Sequence, residues 1–164
     1  MSEEPDKVYQ ILSGNNDALT AIDAVIAQAR RRLWIFDHTL KNRGYNAPPR
    51  YEALRSFMLG DRSRELRIVL HDTTGIEGYC PRLLMLLKQF SANMKIHRTI
   101  GVAREASDAL VIADDAHFWR QLHYQHPRSV LTLHSPLDTK PLLDRFEEIW
   151  ESAEPGVSAE TSGL

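Results

Sequence analysis

Apolar residues along the chain change repeatedly from helical spacing to consecutive runs, and this change predicts alternating helices and strands. An asparagine at position 15 or 16 is suited to cap a helix, and apolar residues then recur at helical spacing from Leu19 to Ala29. The four apolar residues 33–36 follow closely, as expected for a strand that is buried on both faces. The chain therefore opens with a helix that leads into a buried strand.

The same two patterns continue along the rest of the chain. Further strands are predicted where apolar residues are consecutive or alternate, at residues 66–70, 94–100, 109–113, 117–122 and 130–133. Further helices are predicted at residues 51–58, 81–90 and 136–150, with the turn-forming residues 39–50 as a long loop. This order predicts an α/β fold in which helices flank a mixed β-sheet.

Length and composition indicate one globular domain. A chain of 164 residues, of which 43% are apolar and 26% charged, is long enough and apolar enough to close one core. We predict a flexible lead-in at residues 1–14, a folded domain at residues 15–153 and a disordered, polar tail at residues 154–164. The sequence shows no internal repeat. If the complete fold needs two similar halves, the second half would therefore have to come from another chain.

Several classes of protein do not fit this sequence. The longest apolar runs, such as residues 83–87, are far shorter than the roughly 20 residues that cross a bilayer, so we predict no transmembrane segment. The N-terminus is acidic and polar, unlike a secretory signal, and the lone Cys80 leaves no internal disulfide. From these features together we expect a cytoplasmic protein. No glycine-rich loop matches a phosphate-binding motif, and we expect no cofactor.

The net charge of −2 conceals an uneven distribution of charge. Between Arg30 and Arg67 there are ten Lys and Arg residues against four Asp and Glu residues, which gives +6 there and −8 for the rest of the chain. A basic segment of this kind would suit a phosphate-bearing partner. Surface arginines on ordinary solvated helices account for it equally well, so charge alone does not decide between the two.

Polar pairs follow three of the predicted buried strands. Ligands of open α/β sheets gather beyond the carboxyl ends of the strands, so these pairs would converge if the strands are parallel neighbours. Two histidines and several carboxylates would then be able to bind a divalent metal or to form a base with an orienting carboxylate. The alternative is that polar residues simply end strands. The pairs are Asp37-His38, His71-Asp72 and Asp114-Asp115.

One tryptophan is a candidate contact residue. Trp34 and Trp150 fall on the predicted buried faces of a strand and a helix, and we assign both to the core. Trp119 lies on the opposite face of its strand from Phe118, where an aromatic ring would be able to stack on a nucleic-acid base. Trp119 is therefore the aromatic residue that we expect to contact a ligand.

Four stretches of the chain resemble one repeat of the phospholipase D superfamily. They comprise a helix of small and apolar residues followed by a strand, a second strand, the segment where the family carries its H-x-K-x4-D signature, and a closing helix of the form F-x-x-x-W. The stretches are residues 23–36, 65–72, 107–115 and 146–152. The resemblance covers about residues 17–152 and implies a phospholipase D-like single repeat.

The signature itself is degenerate in this chain. Counted back from Asp114, the histidine position holds Ser107 and the lysine position holds Ala109; counted from Asp115, these positions hold Asp108 and Leu110. In active members of the family the histidine attacks phosphorus and the lysine stabilises the phosphate charge, and neither pair supplies both functions. The chain also resembles a group of short bacterial proteins with the same degenerate signature, for which the family implies a fold and no activity.

The resemblance implies a non-catalytic domain that acts by binding or by assembly. Family members with one repeat per chain pair across a two-fold axis, which implies a homodimer. The family's phosphate-binding groove would persist as a surface for nucleic acid or another phosphate-bearing ligand, with Arg43, Arg50 or Arg98 supplying charge.

Two alternatives remain open at this point. The first is a metal-assisted phosphoesterase that uses Asp37, His38, His71 and Asp72 in place of the lost histidine. The second is a protein-interaction module whose contact surface is the long loop at residues 39–50. The sequence does not choose among these three functions.

Overall fold

The computed structural model describes residues 5–159, which form a mixed eight-stranded β-sheet with helices on both faces. The strands are Val8–Ser13 (β1), Arg32–Asp37 (β2), Glu65–Leu70 (β3), Met94–Arg98 (β4), Ala109–Ala113 (β5), His117–Gln121 (β6), Arg128–Leu133 (β7) and Glu154–Val157 (β8). The helices are Asn15–Gln28 (α1), Pro48–Leu59 (α2), Ile76–Tyr79 (α3), Pro81–Gln89 (α4) and Pro136–Ser152 (α5), with a 3-10 helix at Gly101–Glu105. The predicted α/β fold class is confirmed.

The strand order is β1-β7-β6-β5-β2-β3-β4-β8, and strand direction divides the sheet into two parts. Strands β2, β3 and β4 are parallel, because helical crossovers return the chain each time to the same end of the sheet. Strands β5, β6, β7 and β1 follow on one side as an antiparallel series, and β8 pairs antiparallel with β4 on the other. We call the two ends of the sheet the carboxyl end and the amino end, after strands β2, β3 and β4.

Alternation along β2 explains how its apolar run holds both layers of the core. Leu33 and Ile35 point to the face covered by α1, α2 and α4, whereas Trp34 and Phe36 point to the face covered by α5. On the α5 face, the ring of Phe146 stacks on Trp34 with centroids 4.9 Å apart. None of the helices within residues 5–159 is long and apolar enough to cross a membrane.

Two segments that we predicted to lack regular structure contribute strands instead. Residues Val8–Ser13, in the predicted lead-in 1–14, form β1 and pair with β7, and residues Glu154–Val157, in the predicted tail 154–164, pair with β4. Without these partners, β7 and β4 would each present an unpaired row of backbone N–H and C=O groups. Residues 1–4 and 160–164 of the two predicted segments lie outside the described part of the chain.

Candidate functional site

The carboxyl end of the sheet brings together two of the three predicted polar pairs. Strands β2 and β3 are parallel neighbours in register, with Asp37 opposite Leu70, so Asp37-His38 and His71-Asp72 leave the sheet side by side. The imidazole rings of His38 and His71 lie with centroids 5.7 Å apart. These four residues therefore form the centre of the candidate site.

The third pair, Asp114-Asp115, lies at the opposite end of the sheet, so the condition for its convergence with the other two pairs is not met. The reason is that β5 runs antiparallel to β2, so the end of β5 meets the start of β2. The carboxylate of Asp114 accepts hydrogen bonds from the backbone N–H groups of Arg30, Arg31 and Arg32, at 3.1, 2.8 and 3.1 Å. Asp114 thus holds the entry to β2 and is not placed to contact a ligand at the carboxyl end.

Asp37 is buried and neutralised by Arg43. The Arg43 Nε donates to Asp37 Oδ2 at 2.7 Å, and the backbone N–H of His38 donates to Asp37 Oδ1 at 2.7 Å. Burial raises the pKa of Asp37, and the neighbouring Arg43 opposes that effect. The carboxylate therefore anchors the loop after β2 and has little capacity left for a metal ion or a substrate.

Both ring nitrogens of His71 are engaged inside the fold. Nε2 lies 2.6 Å from the carbonyl oxygen of Ala106, and Nδ1 lies 2.6 Å from the hydroxyl of Thr99. Because a carbonyl oxygen only accepts, Nε2 carries the proton and Nδ1 accepts from the hydroxyl. Burial lowers the pKa of His71, which favours this neutral form. His71 thus ties the segments after β3 and β4 to the segment before β5.

The depressed pKa of His71 predicts that the protein loses stability in acid. In the unfolded chain a histidine binds a proton near pH 6.5, whereas folded His71 does so only at lower pH. The contribution of neutral His71 to the free energy of unfolding is therefore fully present above about pH 6.5, and it is lost as the pH falls through the pKa of the folded state. Melting temperatures measured between pH 8 and pH 5 should decline on the acid side. A His71→Gln variant should decline less steeply, and an equally steep decline would contradict this role for His71.

His38 differs from His71 because its ring nitrogens have no hydrogen-bond partner among residues 5–159. Its ring stacks on Tyr124 with centroids 4.4 Å apart and an interplanar angle of 3°. Tyr124 in turn is fixed by its backbone N–H, which donates to the carbonyl oxygen of Ser107 at 2.8 Å. The imidazole of His38 is thus oriented by stacking while both nitrogens stay available to a ligand.

Two clefts meet at His38. The first has a volume of about 730 Å³ and lies between the start of α1, the loop after β2 and the loop after β6. The second has a volume of about 570 Å³ and lies over the ends of β3 and β4. His38 and Asp72 line both. Other lining residues are Asn15, Lys41 and Tyr124 in the first cleft, and Thr73, Thr74 and Arg104 in the second.

Two of the three predicted arginine ligands are buried structural residues. Arg43 is committed to Asp37, and Arg50 donates from Nε to Asp23 at 2.5 Å and from Nη1 to the carbonyl oxygen of Arg43 at 3.0 Å. Both arginines therefore pin the loop at residues 39–47 onto the domain. Arg98 does line the second cleft, where it forms an ion pair with Glu154.

Trp119 is fully buried, so it is not a surface for stacking a base. Its ring lies in the core on the α1 face of the sheet, with the guanidinium carbon of Arg43 4.9 Å from the ring centroid. The alternation along β6 that separates Trp119 from Phe118 is real, but helices cover both faces of the sheet. The expectation that Trp119 contacts a ligand does not fit this buried position.

Sequence reasoning missed two cations at the carboxyl end, Lys41 and Arg104. Both side chains are exposed, and neither forms an ion pair with a carboxylate among residues 5–159. The Nζ of Lys41 lies 5.4 Å from the ring centroid of Tyr79. Their positions after β2 and after β4 become a signal once these strands are known to be parallel, because segments that follow parallel strands converge at one end of the sheet.

Ser107, Asp108 and Ala109, at and just before the start of β5, differ in burial and contacts. Ala109 is fully buried, and the side chain of Ser107 has no polar partner among residues 5–159. Asp108 is buried and bound by Arg145 through contacts of 2.6 and 3.1 Å, with Arg120 at 3.5 Å. Within residues 5–159, no three His, Cys, Asp or Glu side chains are arranged to hold a metal ion.

Known structures with the same fold include phospholipase D family members. Nuc of Salmonella typhimurium aligns with a TM-score of 0.64 and 13% identity, over 93% of this chain and 100% of its own. NucT of Helicobacter pylori aligns with a TM-score of 0.61 and 14% identity, over 92% and 100%. The TM-scores show that the chain has a phospholipase D-like fold, and at such low identities the likeness extends to the fold alone.

A third similar structure belongs to TrmBL2, an archaeal chromatin protein whose structure shows a novel mode of DNA binding. The TM-score is 0.65 at 12% identity, and the alignment covers 90% of this chain. The chain spans only about half of TrmBL2, 54% of its length. A family model described as "Domain of unknown function (DUF7931)" matches residues 14–159. Comparison with curated protein sequences gives no significant match.

Proposed function

The chain belongs to the DUF7931 family and has a phospholipase D-like fold, and from this premise we propose that it binds a phosphate-bearing ligand at the carboxyl end of the sheet without catalysing a reaction on it. The binding residues are His38, Lys41 and Arg104. They surround the two clefts that meet beside the degenerate signature. The ligand class we propose is a phosphodiester, most simply a nucleic-acid strand.

One observation carries this proposal: Lys41 and Arg104 at the clefts have no ion-pair partner among residues 5–159, whereas Asp37 and His71 are engaged within the fold. Lys41 and Arg104 have no carboxylate partner among residues 5–159, so their charge is available to a phosphate. Asp37 is held by Arg43, and His71 is held at both nitrogens. Such a site attracts an anion, and neither Asp37 nor His71 is free to act as a base that activates water.

His38 has free nitrogens but lacks the support that a nucleophilic histidine needs. A catalytic imidazole is normally oriented by a carboxylate or carbonyl that accepts from its second nitrogen. In residues 5–159 the ring of His38 is held by stacking on Tyr124 and by no hydrogen bond. We therefore assign His38 a role in donating a hydrogen bond to a phosphate oxygen.

The DNA-binding mode described for TrmBL2 supports nucleic acid as the ligand, because TrmBL2 shares this fold over 90% of the chain. We further propose that the domain acts as a homodimer. Ile100, Val102 and Leu122 support a dimer because these apolar side chains are 43%, 80% and 66% exposed at the carboxyl end. Light scattering should give about twice the chain mass of 18.8 kDa, and a monomer would remove this part of the proposal.

The two alternative functions have less support. A metal-assisted phosphoesterase would need Asp37 and His71 as ligands or bases, and both are engaged within the fold. An interaction module based on residues 39–50 would need an accessible loop, yet Arg43, Tyr45 and Arg50 are buried in that segment. Two of its exposed residues, Lys41 and Asn42, line the first cleft.

Calorimetric titration with a dinucleotide phosphodiester tests the proposed site. A Lys41→Glu/Arg104→Glu variant should bind at least about tenfold more weakly than the parent protein, because two cations that attract the phosphodiester are replaced by carboxylates that repel it. The matched control is Arg55→Glu/Lys88→Glu, which reverses the same two residue types on α2 and α4 and should bind like the parent. Equal affinity in both variants would overturn the assignment of this site. Release of mononucleotides by the parent protein would overturn the non-catalytic role.

A further inference from the structure

A third cleft lies at the amino end of the sheet, far from the candidate site, and it is strongly basic. It has a volume of about 390 Å³ and is lined by four cations, Arg62, Arg64, Arg67 and Lys95, against the single carboxylate of Glu65. We call these five residues and the space between them the amino-end groove. Three of its cations come from the basic segment between Arg30 and Arg67, so the fold concentrates part of that charge in one place.

Strand register explains why the cations gather there. Alternate residues of β3 point to opposite faces of the sheet, so Glu65 and Arg67 lie on the α5 face together with the core residue Val69. Lys95 of β4 is the pairing partner of Arg67 and lies beside it. Arg62 and Arg64 belong to the loop that leads into β3. Like charges on adjacent strand positions repel each other, so this arrangement weakens the folded domain unless an anion offsets it.

The charge of the amino-end groove is largely uncompensated. The side chains of Arg62 and Lys95 are exposed and form no ion pair or hydrogen bond among residues 5–159. Arg64 donates to the carbonyl oxygen of Phe57 at 2.9 Å, a neutral partner that leaves its charge in place. Glu65 is shared between Trp34 Nε1 at 3.0 Å and Arg67 at 3.5 Å. An anion entering the groove would therefore meet a net positive charge.

Arg67 is held ready for such an anion. Its guanidinium carbon lies 5.4 Å from the ring centroid of Trp34 and 5.1 Å from that of Trp150, so the two rings fix its position. His97 stacks on Trp150 with centroids 4.0 Å apart. Because Trp150 already contacts both His97 and Arg67, it is not a free platform for a base. The groove therefore offers contacts to phosphates and none that would distinguish one base from another.

We propose that the amino-end groove binds the phosphate backbone of nucleic acid, independently of sequence and of the carboxyl-end clefts. A membrane surface fits less well, because membrane-binding surfaces combine cations with exposed apolar side chains. The residues that line the groove include no exposed large apolar side chain; Trp150 is only partly exposed. The concave shape and the clustered cations suit a polyanion strand that lies across the starts of β3 and β4.

Fluorescence anisotropy with labelled single- and double-stranded oligonucleotides, measured at several salt concentrations, tests this proposal. An Arg62→Glu/Lys95→Glu variant should bind at least about tenfold more weakly at low salt, and the slope of log affinity against log salt should become shallower by about two. Arg55→Glu/Lys88→Glu, with the same change in charge, should bind like the parent protein. Melting temperatures of all variants establish that each one is folded.

Three results would overturn this assignment. One is equal oligonucleotide affinity in the groove variant and the matched control. Another is that the parent protein binds vesicles with anionic lipids but no oligonucleotide, and that the groove variant loses this vesicle binding. The third is loss of dinucleotide binding in the groove variant, because the two sites would then not be independent. If the groove variant keeps dinucleotide binding but loses oligonucleotide binding, the result supports nucleic-acid binding at the amino-end groove. That conclusion does not depend on how the Lys41→Glu/Arg104→Glu variant behaves.

Discussion

Replacing Arg43 with alanine is expected to lower the free energy of unfolding by about 3–5 kcal/mol, the range observed when one partner of a buried ion pair is removed. Asp37 is only 3% exposed, and without Arg43 its carboxylate would lose its counterion inside the fold. The loss should become smaller in acid, because a protonated Asp37 needs no counterion. Urea unfolding monitored by circular dichroism measures the difference.

A double substitution separates lost charge pairing from lost packing. In Asp37→Asn/Arg43→Met both charges are absent, and we expect it to recover most of the stability lost in Arg43→Ala, since neutral groups often replace a buried ion pair at little cost. The Met side chain also keeps apolar contact with Trp119, which the guanidinium of Arg43 faces at 4.9 Å. A loss below about 1 kcal/mol in Arg43→Ala, as for an exposed ion pair, would contradict this description of the pair.

Replacing Asp114 with alanine should lower the free energy of unfolding by about 3 kcal/mol, because three backbone N–H groups at the entry to β2 would lose their acceptor. Asp114 also has φ of 54°, a left-handed conformation that alanine adopts less readily than asparagine or aspartate. Thermal or urea unfolding of the purified variant measures the effect. The contacts of Asp114 with three backbone N–H groups give it a structural role.

Two matched variants control the Asp114 result. Asp114→Asn keeps one acceptor oxygen and tolerates the left-handed backbone, so it should lose about half as much stability as alanine. Asp115→Ala removes an exposed carboxylate whose contact with Arg31 is 3.5 Å long, and its effect should stay below about 0.5 kcal/mol. If alanine at 114 and alanine at 115 were equally mild, Asp114 would not be holding the entry to β2.

The core of the fold was predictable because the apolar runs are long and unambiguous. Residues 33–36 and 109–113 read as strands buried on both faces, and both are central strands of the sheet. The edge strands β1 and β8 were missed for the opposite reason. In β1 the large apolar side chains of Tyr9 and Ile11 are exposed, so the pattern lacks a clear buried face.

The candidate site was only partly predictable, because the sequence does not show strand direction. Asp37-His38 and His71-Asp72 follow parallel strands and meet, whereas Asp114 follows an antiparallel strand and does not. Nor does the sequence show which charges are paired in the interior. Arg43 and Arg50 resemble surface arginines in their loop, yet each is committed to a carboxylate. Lys41 and Arg104, which carry free charge at the clefts, became visible only once strand direction was known.

In the proposed function, His38 contacts a bound phosphodiester that the protein leaves intact. Nuclear magnetic resonance of the histidine side chains, recorded with phosphorus spectra during a dinucleotide titration, tests both parts in one sample. We expect the imidazole signals of His38 to shift saturably with added dinucleotide, while those of His71 stay nearly fixed. After overnight incubation, the phosphorus spectrum should still show the phosphodiester and no other phosphorus species. Unchanged His38 signals at high dinucleotide concentration would contradict the role of His38 in binding. The appearance of a phosphomonoester would contradict the non-catalytic function.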